Sequence, residues 1–164
     1  MTNLYADTEF NGHQGELISL ALVGDDGSQW YGIALGLTPP PSLDPWVADN
    51  VIPKLRAVRR PWDFGSMEEF RASLKEYLLA RSGCTIWADW PADFAHLMRL
   101  MSGPAYAESF MIPCTMVLLK ESDPKPEIPH NALSDAIALM EWHKAQGNRD
   151  RRLHDDAEST VGTE

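Results

Sequence analysis

Apolar positions along this chain recur with two periods, and the changes of period divide it into elements. Residues 4 to 9, LYADTE, read as a short strand. Residues 16 to 23, ELISLALV, are β-rich and apolar at almost every position, as in a strand buried on both faces. Asp25-Asp26-Gly27 is a hairpin turn signal, and residues 29 to 37, QWYGIALGL, read as the return strand. The chain therefore opens as a three-stranded meander. A proline-rich loop follows, with Pro39, Pro40, Pro41 and Pro45, and it runs into an irregular basic region through Lys54, Arg56, Arg59, Arg60 and Trp62.

The period then changes to that of a helix. Ser66-Met67-Glu68-Glu69 is a capping box, and Met67, Phe70, Leu74, Tyr77 and Leu78 form the apolar stripe behind it. Gly83 ends that helix. Residues 84 to 88, CTIWA, read as a buried strand. Asp89 is placed to cap the next helix, with Pro91 in its first turn and Phe94, Leu97, Met98 and Met101 on one face. Gly103-Pro104 stops it. Residues 110 to 119 supply one more short strand. After the loop ESDPKPEIP, a last helix spans about residues 131 to 146, burying Leu133, Ala136, Ile137 and Met140. From Gly147 onward the chain is polar and aperiodic, which predicts a disordered tail over 147–164 behind a single domain of residues 1–146. The order β-β-β-α-β-α-β-α predicts an α/β fold: a mixed five-stranded sheet, part antiparallel meander and part parallel strands, flanked by helices.

Length supports that reading, because 164 residues suffice for one well-buried core. No apolar run approaches the ~20 residues of a membrane span, and the opening MTNLYADTEF lacks the pattern of a signal peptide, so a cytoplasmic location is expected. Cys84 and Cys114 fit no zinc spacing and read as reduced, buried thiols. The net charge of −10 argues against broad electrostatic attraction to nucleic acid. A mildly acidic body can still handle nucleic acid when metals and a local basic patch do the binding.

Three acidic segments carry candidate chemistry. Asp7 and Glu9, at i and i+2 of a strand, project from the same face. Two adjacent carboxylates repel unless one is protonated or a cation lies between them, and hard oxygen ligands suit Mg²⁺ or Mn²⁺. Solvated acids at a strand end are the plain alternative. Asp93 sits in the first turn of a helix that follows a buried strand, a position where α/β sites form, and where acids also simply complement the helix dipole. His130 lies at the entrance of the last helix and Asp135 in its second turn. A histidine there can abstract a proton from water near neutral pH, or it can be an ordinary surface residue.

As an ordered set, these residues resemble the DEDDh group of 3′→5′ exonucleases in the ribonuclease H-like superfamily. The resemblance is carried by Asp7 and Glu9 in DTEF, Asp93 in WPADF, and His130 and Asp135 in HNALSDA. Within that group, the chain is similar to the small single-domain type of the mycobacterial polyadenylate-specific 3′→5′ exoribonuclease. The matching stretches are Tyr5 to Phe10 with Ala6 inserted, Glu16 to Val23, Pro53-Lys54-Leu55, Trp87 to Trp90 with Asp89 replacing the second tryptophan, and His130 to Ala136. The resemblance implies two divalent cations, Mg²⁺ or Mn²⁺, held by Asp7, Glu9, Asp93 and Asp135, with Asp7 bridging. It implies that His130 deprotonates the attacking water and that nucleoside 5′-monophosphates leave the 3′ end of single-stranded RNA.

Substrate contacts are expected at Thr8, at Phe10, which could equally pack in the core, and at Lys54 and Arg56, which could equally form a solvated loop. Trp87 and Trp142 read as core, whereas Trp46, Trp62 and Trp90 are better placed for substrate or subunit contacts. Relatives of this type are often dimers, so a homodimer is among the expectations; the sequence is silent on the point. A DNA exonuclease of the same fold is the alternative reading, since recognising a 2′-hydroxyl takes few groups. A non-catalytic nucleic-acid-binding module is a third, disfavoured because all five site residues are present.

Overall fold

A computed structural model describes residues 2–13, 15–37, 40–58, 62–105 and 108–160, with the backbone alone for Trp62 and for residues 148–160. Strand β1 (Asn3–Phe10) pairs antiparallel with β2 (Leu17–Gly24), and β2 pairs antiparallel with β3 (Gln29–Ile33). A short helix α1 (Pro45–Asn50) and a 3₁₀ turn (Ile52–Lys54) lead to a two-residue strand β4 (Trp62–Asp63). Then come α2 (Met67–Leu79), β5 (Cys84–Ala88), α3 (Pro91–Ser102), β6 (Cys114–Leu118) and α4 (Ala132–Thr160). The sheet order is β4-β3-β2-β1-β5-β6, with β1, β5 and β6 mutually parallel. This is the mixed sheet of a ribonuclease H-like α/β fold, and the five expected strands are all present. The sixth, β4, adds two residues to the β3 edge, where irregular chain was expected.

Local chemistry explains most elements. The Ser66 hydroxyl accepts the Glu69 amide at 3.1 Å, and the Glu69 carboxylate accepts the Gly65 amide at 2.8 Å, so the capping box forms with its return bond one residue early. Helix α1 was not expected. It starts because the Asp44 carboxylate accepts the amides of Trp46 and Val47 and Pro45 fills the first position. The return strand stops at Ile33, four residues short of its apolar run, because Ala34 and Leu35 both turn back to donate to the Ile18 carbonyl. The backbone of α4 runs past Gly147, where the last helix was expected to end, through Thr160. A single internal glycine costs only about 1 kcal/mol.

Strand β2 is buried along its length and separates two cores. On one face Leu4, Ala6, Leu20, Leu22, Trp30 and Ile86 pack against α2 and α3. On the other, Ile18, Ala21, Val23 and Tyr31 pack against α1 and the start of α4. Among the described side chains Trp30 is the fully buried tryptophan; Trp87 and Trp142, expected in the core, are only half-buried. Cys84 and Cys114 are far apart in sequence but stand opposite each other on β5 and β6, both as free thiols, with Cys84 buried and Cys114 partly exposed. Among the described residues no helix is long and apolar enough to cross a membrane.

Candidate active site

The alternation of β1 decides where its acids point. Leu4 and Ala6 face α2 and α3, so Tyr5, Asp7 and Glu9 face the α4 side. Tyr5 confirms that side by hydrogen bonding His143 of α4 at 2.9 Å. Beside Glu9 the β1–β2 ladder slips by one residue, a bulge of the kind that re-aims side chains at a strand end. The adjacent cleft has a volume of about 670 Å³, and Asp7, Glu9, Asp93, His130 and Asp135 all line it. Every acid of the expected set, and the histidine, therefore meets in one cleft.

Asp135 arrives at the N-terminal turn of α4. Its Oδ2 accepts the Asn131 amide at 3.1 Å, while the Asn131 side chain accepts the Ser134 amide at 3.2 Å, so helix start and carboxylate fix each other. Asn131 is fully buried and also donates to the Lys54 carbonyl at 2.8 Å. It thus pins the entrance of α4 to the 3₁₀ turn. The histidine before it takes a left-handed backbone, φ 64°, an uncommon conformation for a non-glycine residue and one found at functional sites. The His130 ring meets Trp46 edge-on at 4.9 Å. Burial, and then the charge of Lys54, lower its pKa, so it is neutral and able to accept a proton near pH 7.

Asp93 is 1% exposed. Its Oδ1 accepts the Thr8 amide at 3.0 Å and the Thr8 hydroxyl at 2.7 Å, whereas its Oδ2 is buried without a partner. Burial, with mutual repulsion behind it, raises the carboxyl pKa values of Asp7, Glu9, Asp93 and Asp135. Asp7 is pushed well above the usual carboxylate range by burial and by the charges of Asp93, Asp135, Glu9 and Asp89. Burial and the neighbouring Asp135 raise Glu9 to about 8, with Lys54 opposing. Burial raises Asp93 to about 7 against the two bonds from Thr8, and raises Asp135 to about 6.

The oxygens fall into two groups of three, Asp7–Glu9–Asp135 and Asp7–Asp89–Asp93, each with ligand atoms within 4.8 Å of one another. Asp7 belongs to both. Hard oxygen donors, mutual repulsion and an orphaned buried oxygen on Asp93 together fit divalent cations such as Mg²⁺ or Mn²⁺. Asp89 was expected to cap α3. It does not: the cap residue is Trp90, which makes no side-chain capping bond, and Asp89 accepts the Ser122 hydroxyl at 2.9 Å instead.

The rim is aromatic. Phe10 lines the cleft and stacks on His96 with centroids 5.1 Å apart, so it is both packed and presented. Trp46 and Trp90 also line the cleft and are 53% and 59% exposed. The Asn11 side chain holds the segment carrying Trp46, accepting the Asp44 amide at 2.8 Å and donating to the Ser42 carbonyl at 2.9 Å. Thr8 lines the cleft as well. Lys54 stands close enough for its charge to act on Glu9 and His130. Arg56 instead makes a bidentate, exposed pair with Asp63, at 2.5 and 2.8 Å. Arg59 and Arg60 lie outside the described residues.

No family model matches the chain. It is similar to 3′-5′ exoribonucleases of two Mycobacterium tuberculosis strains, CDC 1551 / Oshkosh and ATCC 25618 / H37Rv. Each is 29% identical over 147 residues, covering 80% of this chain and 85% of the relative. The likeness to the mycobacterial exoribonuclease type, expected from a few motifs, thus extends through most of the chain.

Proposed function

We propose that this protein is a metal-dependent 3′→5′ exoribonuclease of the DEDDh type, releasing nucleoside 5′-monophosphates from single-stranded RNA or 3′ overhangs. The observation that carries the reading is the pair of carboxylate triads sharing Asp7, with His130 lining the same cleft as Asp7, Glu9, Asp93 and Asp135. The similarity to curated 3′-5′ exoribonucleases supports the direction and the choice of RNA.

Asp7, Glu9 and Asp135 would hold one cation, and Asp7 with Asp93 a second. Bound cations supply Lewis-acid stabilisation of charge at phosphorus and a more acidic attacking water. The chain's own groups do the rest. His130 takes the water's proton on an imidazole nitrogen, and its strained backbone with the Trp46 edge keeps the ring over the cleft. Thr8 holds Asp93 in one orientation. Phe10, Trp46 and Trp90 offer ring faces for the terminal bases, as in other single-strand binders. Lys54 supplies positive charge toward the phosphate. Arg56 would have to exchange Asp63 for a phosphate to take part. The net charge of −10 fits a site that engages one strand end rather than a long duplex.

The test is incubation of 5′-labelled single-stranded RNA and matched DNA with Mg²⁺, Mn²⁺ or EDTA, beside Asp7→Ala. A ladder shortening from the 3′ end of RNA, absent with EDTA and in the variant, is the expected result. Equal cutting of DNA moves the substrate assignment to nucleic acid in general. Metal-independent cleavage, or full activity in Asp7→Ala, overturns the reading.

A further inference from the structure

Asp89 occupies a position that its sequence neighbours do not explain. Strands β1 and β5 run parallel, and their last paired residues are Tyr5 and Trp87. Both rings lie against His143 of α4, at 5.7 and 4.3 Å, so Tyr5 and Trp87 share a face of the sheet. Two residues further along each strand direction stand Asp7 and Asp89. Asp7 lies within β1 and Asp89 one residue past the end of β5, and their carboxylate oxygens come within 4.8 Å of each other. The carboxylate of Asp89 is not spent on α3, and the Ser122 hydroxyl orients it through Oδ2 at 2.9 Å. A third group reaches the same place from α3: the buried Oδ2 of Asp93, which has no partner.

We propose that Asp89 is a direct ligand of the cation held between Asp7 and Asp93, making that position a three-carboxylate site. Ser122 is then a positioning residue that fixes the Asp89 carboxylate. The inference rests on the reading that the cleft binds two divalent cations. It adds a fifth carboxylate to Asp7, Glu9, Asp93 and Asp135. Chemically, a third anionic ligand holds a hard cation through the protein rather than through substrate phosphate. This position should therefore fill before RNA arrives.

Mn²⁺ titration of the full chain without RNA, read by electron paramagnetic resonance and calorimetry, tests this. The wild type is expected to bind two Mn²⁺. Asp89→Asn, nearly isosteric, is expected to weaken one of them by about tenfold or more and leave the other unchanged, the scale at which ligand-shell changes act. Ser122→Ala should weaken the same one by less. Glu121→Gln, which removes an equal charge nearby but outside the cluster, should change neither. Two unaltered affinities in Asp89→Asn overturn the proposal while leaving the two-cation reading intact. Equal weakening of both cations, or an equal effect from Glu121→Gln, also overturns it, because general charge then explains the loss. A wild type that binds no Mn²⁺ overturns the two-cation reading itself.

Discussion

Thr8 donates both its amide and its hydroxyl to a single oxygen of Asp93, at 3.0 and 2.7 Å, and the other oxygen of that carboxylate is left buried and bare. Strand β1 thereby aims an acid that belongs to α3. Thr8→Val keeps the β-branched shape and the amide bond but removes the hydroxyl. Hydrogen bonds to charged groups are worth about 1.5–3 kcal/mol, and a loss of that order is expected at pH 8, where Asp93 is ionised. Urea unfolding checks it, and an unchanged midpoint would show that the amide alone suffices. Mn²⁺ affinity should fall in the same variant.

The crowded acids make the metal-free protein sensitive to pH in a definite direction. The pKa of Glu9 rises from 4.5 to about 8 on folding, so the folded state favours the neutral form. Its favourable contribution is fully present below pH 4.5 and is lost as pH climbs through about 8. Glu9→Gln removes that dependence. In EDTA the variant should therefore melt higher than the wild type at pH 8, with the gap closing toward pH 5. Each pKa unit corresponds to about 1.4 kcal/mol, so the gap is readily measured by thermal scanning. A gap that is constant between pH 5 and 8 refutes the assignment.

His130 separates proton transfer from metal binding. His130→Ala is expected to lower kcat by about 10²–10⁴-fold, the usual scale of general-base removal, with both Mn²⁺ affinities preserved. Calorimetry showing a lost cation would instead make the imidazole a ligand. The pH–rate profile of the wild type should lose activity on the acidic side at a lower pH than an ordinary histidine gives, since burial and Lys54 depress this one.

Trp90 stands 59% exposed at the rim, an apolar surface that the fold itself does not need. Trp90→Ala is expected to raise KM for RNA with little change in kcat, by about 1–3 kcal/mol for one stacked base. A melting temperature equal to the wild type's would exclude a structural cause. Unchanged KM would remove Trp90 from the substrate path.

Asp7, Glu9, Asp93, His130 and Asp135, all of which line the cleft, were legible in the chain because their chemistry is local. D-x-E on a strand places two carboxylates on one face whatever the fold, and an acid or histidine at a helix entrance stands where backbone amides are free. The elements were legible for the same reason: the stripe of α2 and the nearly all-apolar β2 announce their own burial. Three features were hidden. Asp89 looked like a helix cap, since sequence offers a capping role to any acid before proline. Helix α1 hid among prolines, although Asp44-Pro45 was a signal that could have found it. Asn131 was read only as the start of the last helix, and nothing near it mentions Lys54.

The difference is one of range. Periodicity, capping and charge spacing act over a turn of helix or a few strand residues, and the sequence by itself determined those. Which acids share a cation depends on the register of β1 against β5 and on where α3 and α4 begin, and residues 7, 89, 93 and 135 come together only when the parallel strands pair. That pairing is set by burial of two cores on either side of β2, a sum over the whole chain that no local pattern contains.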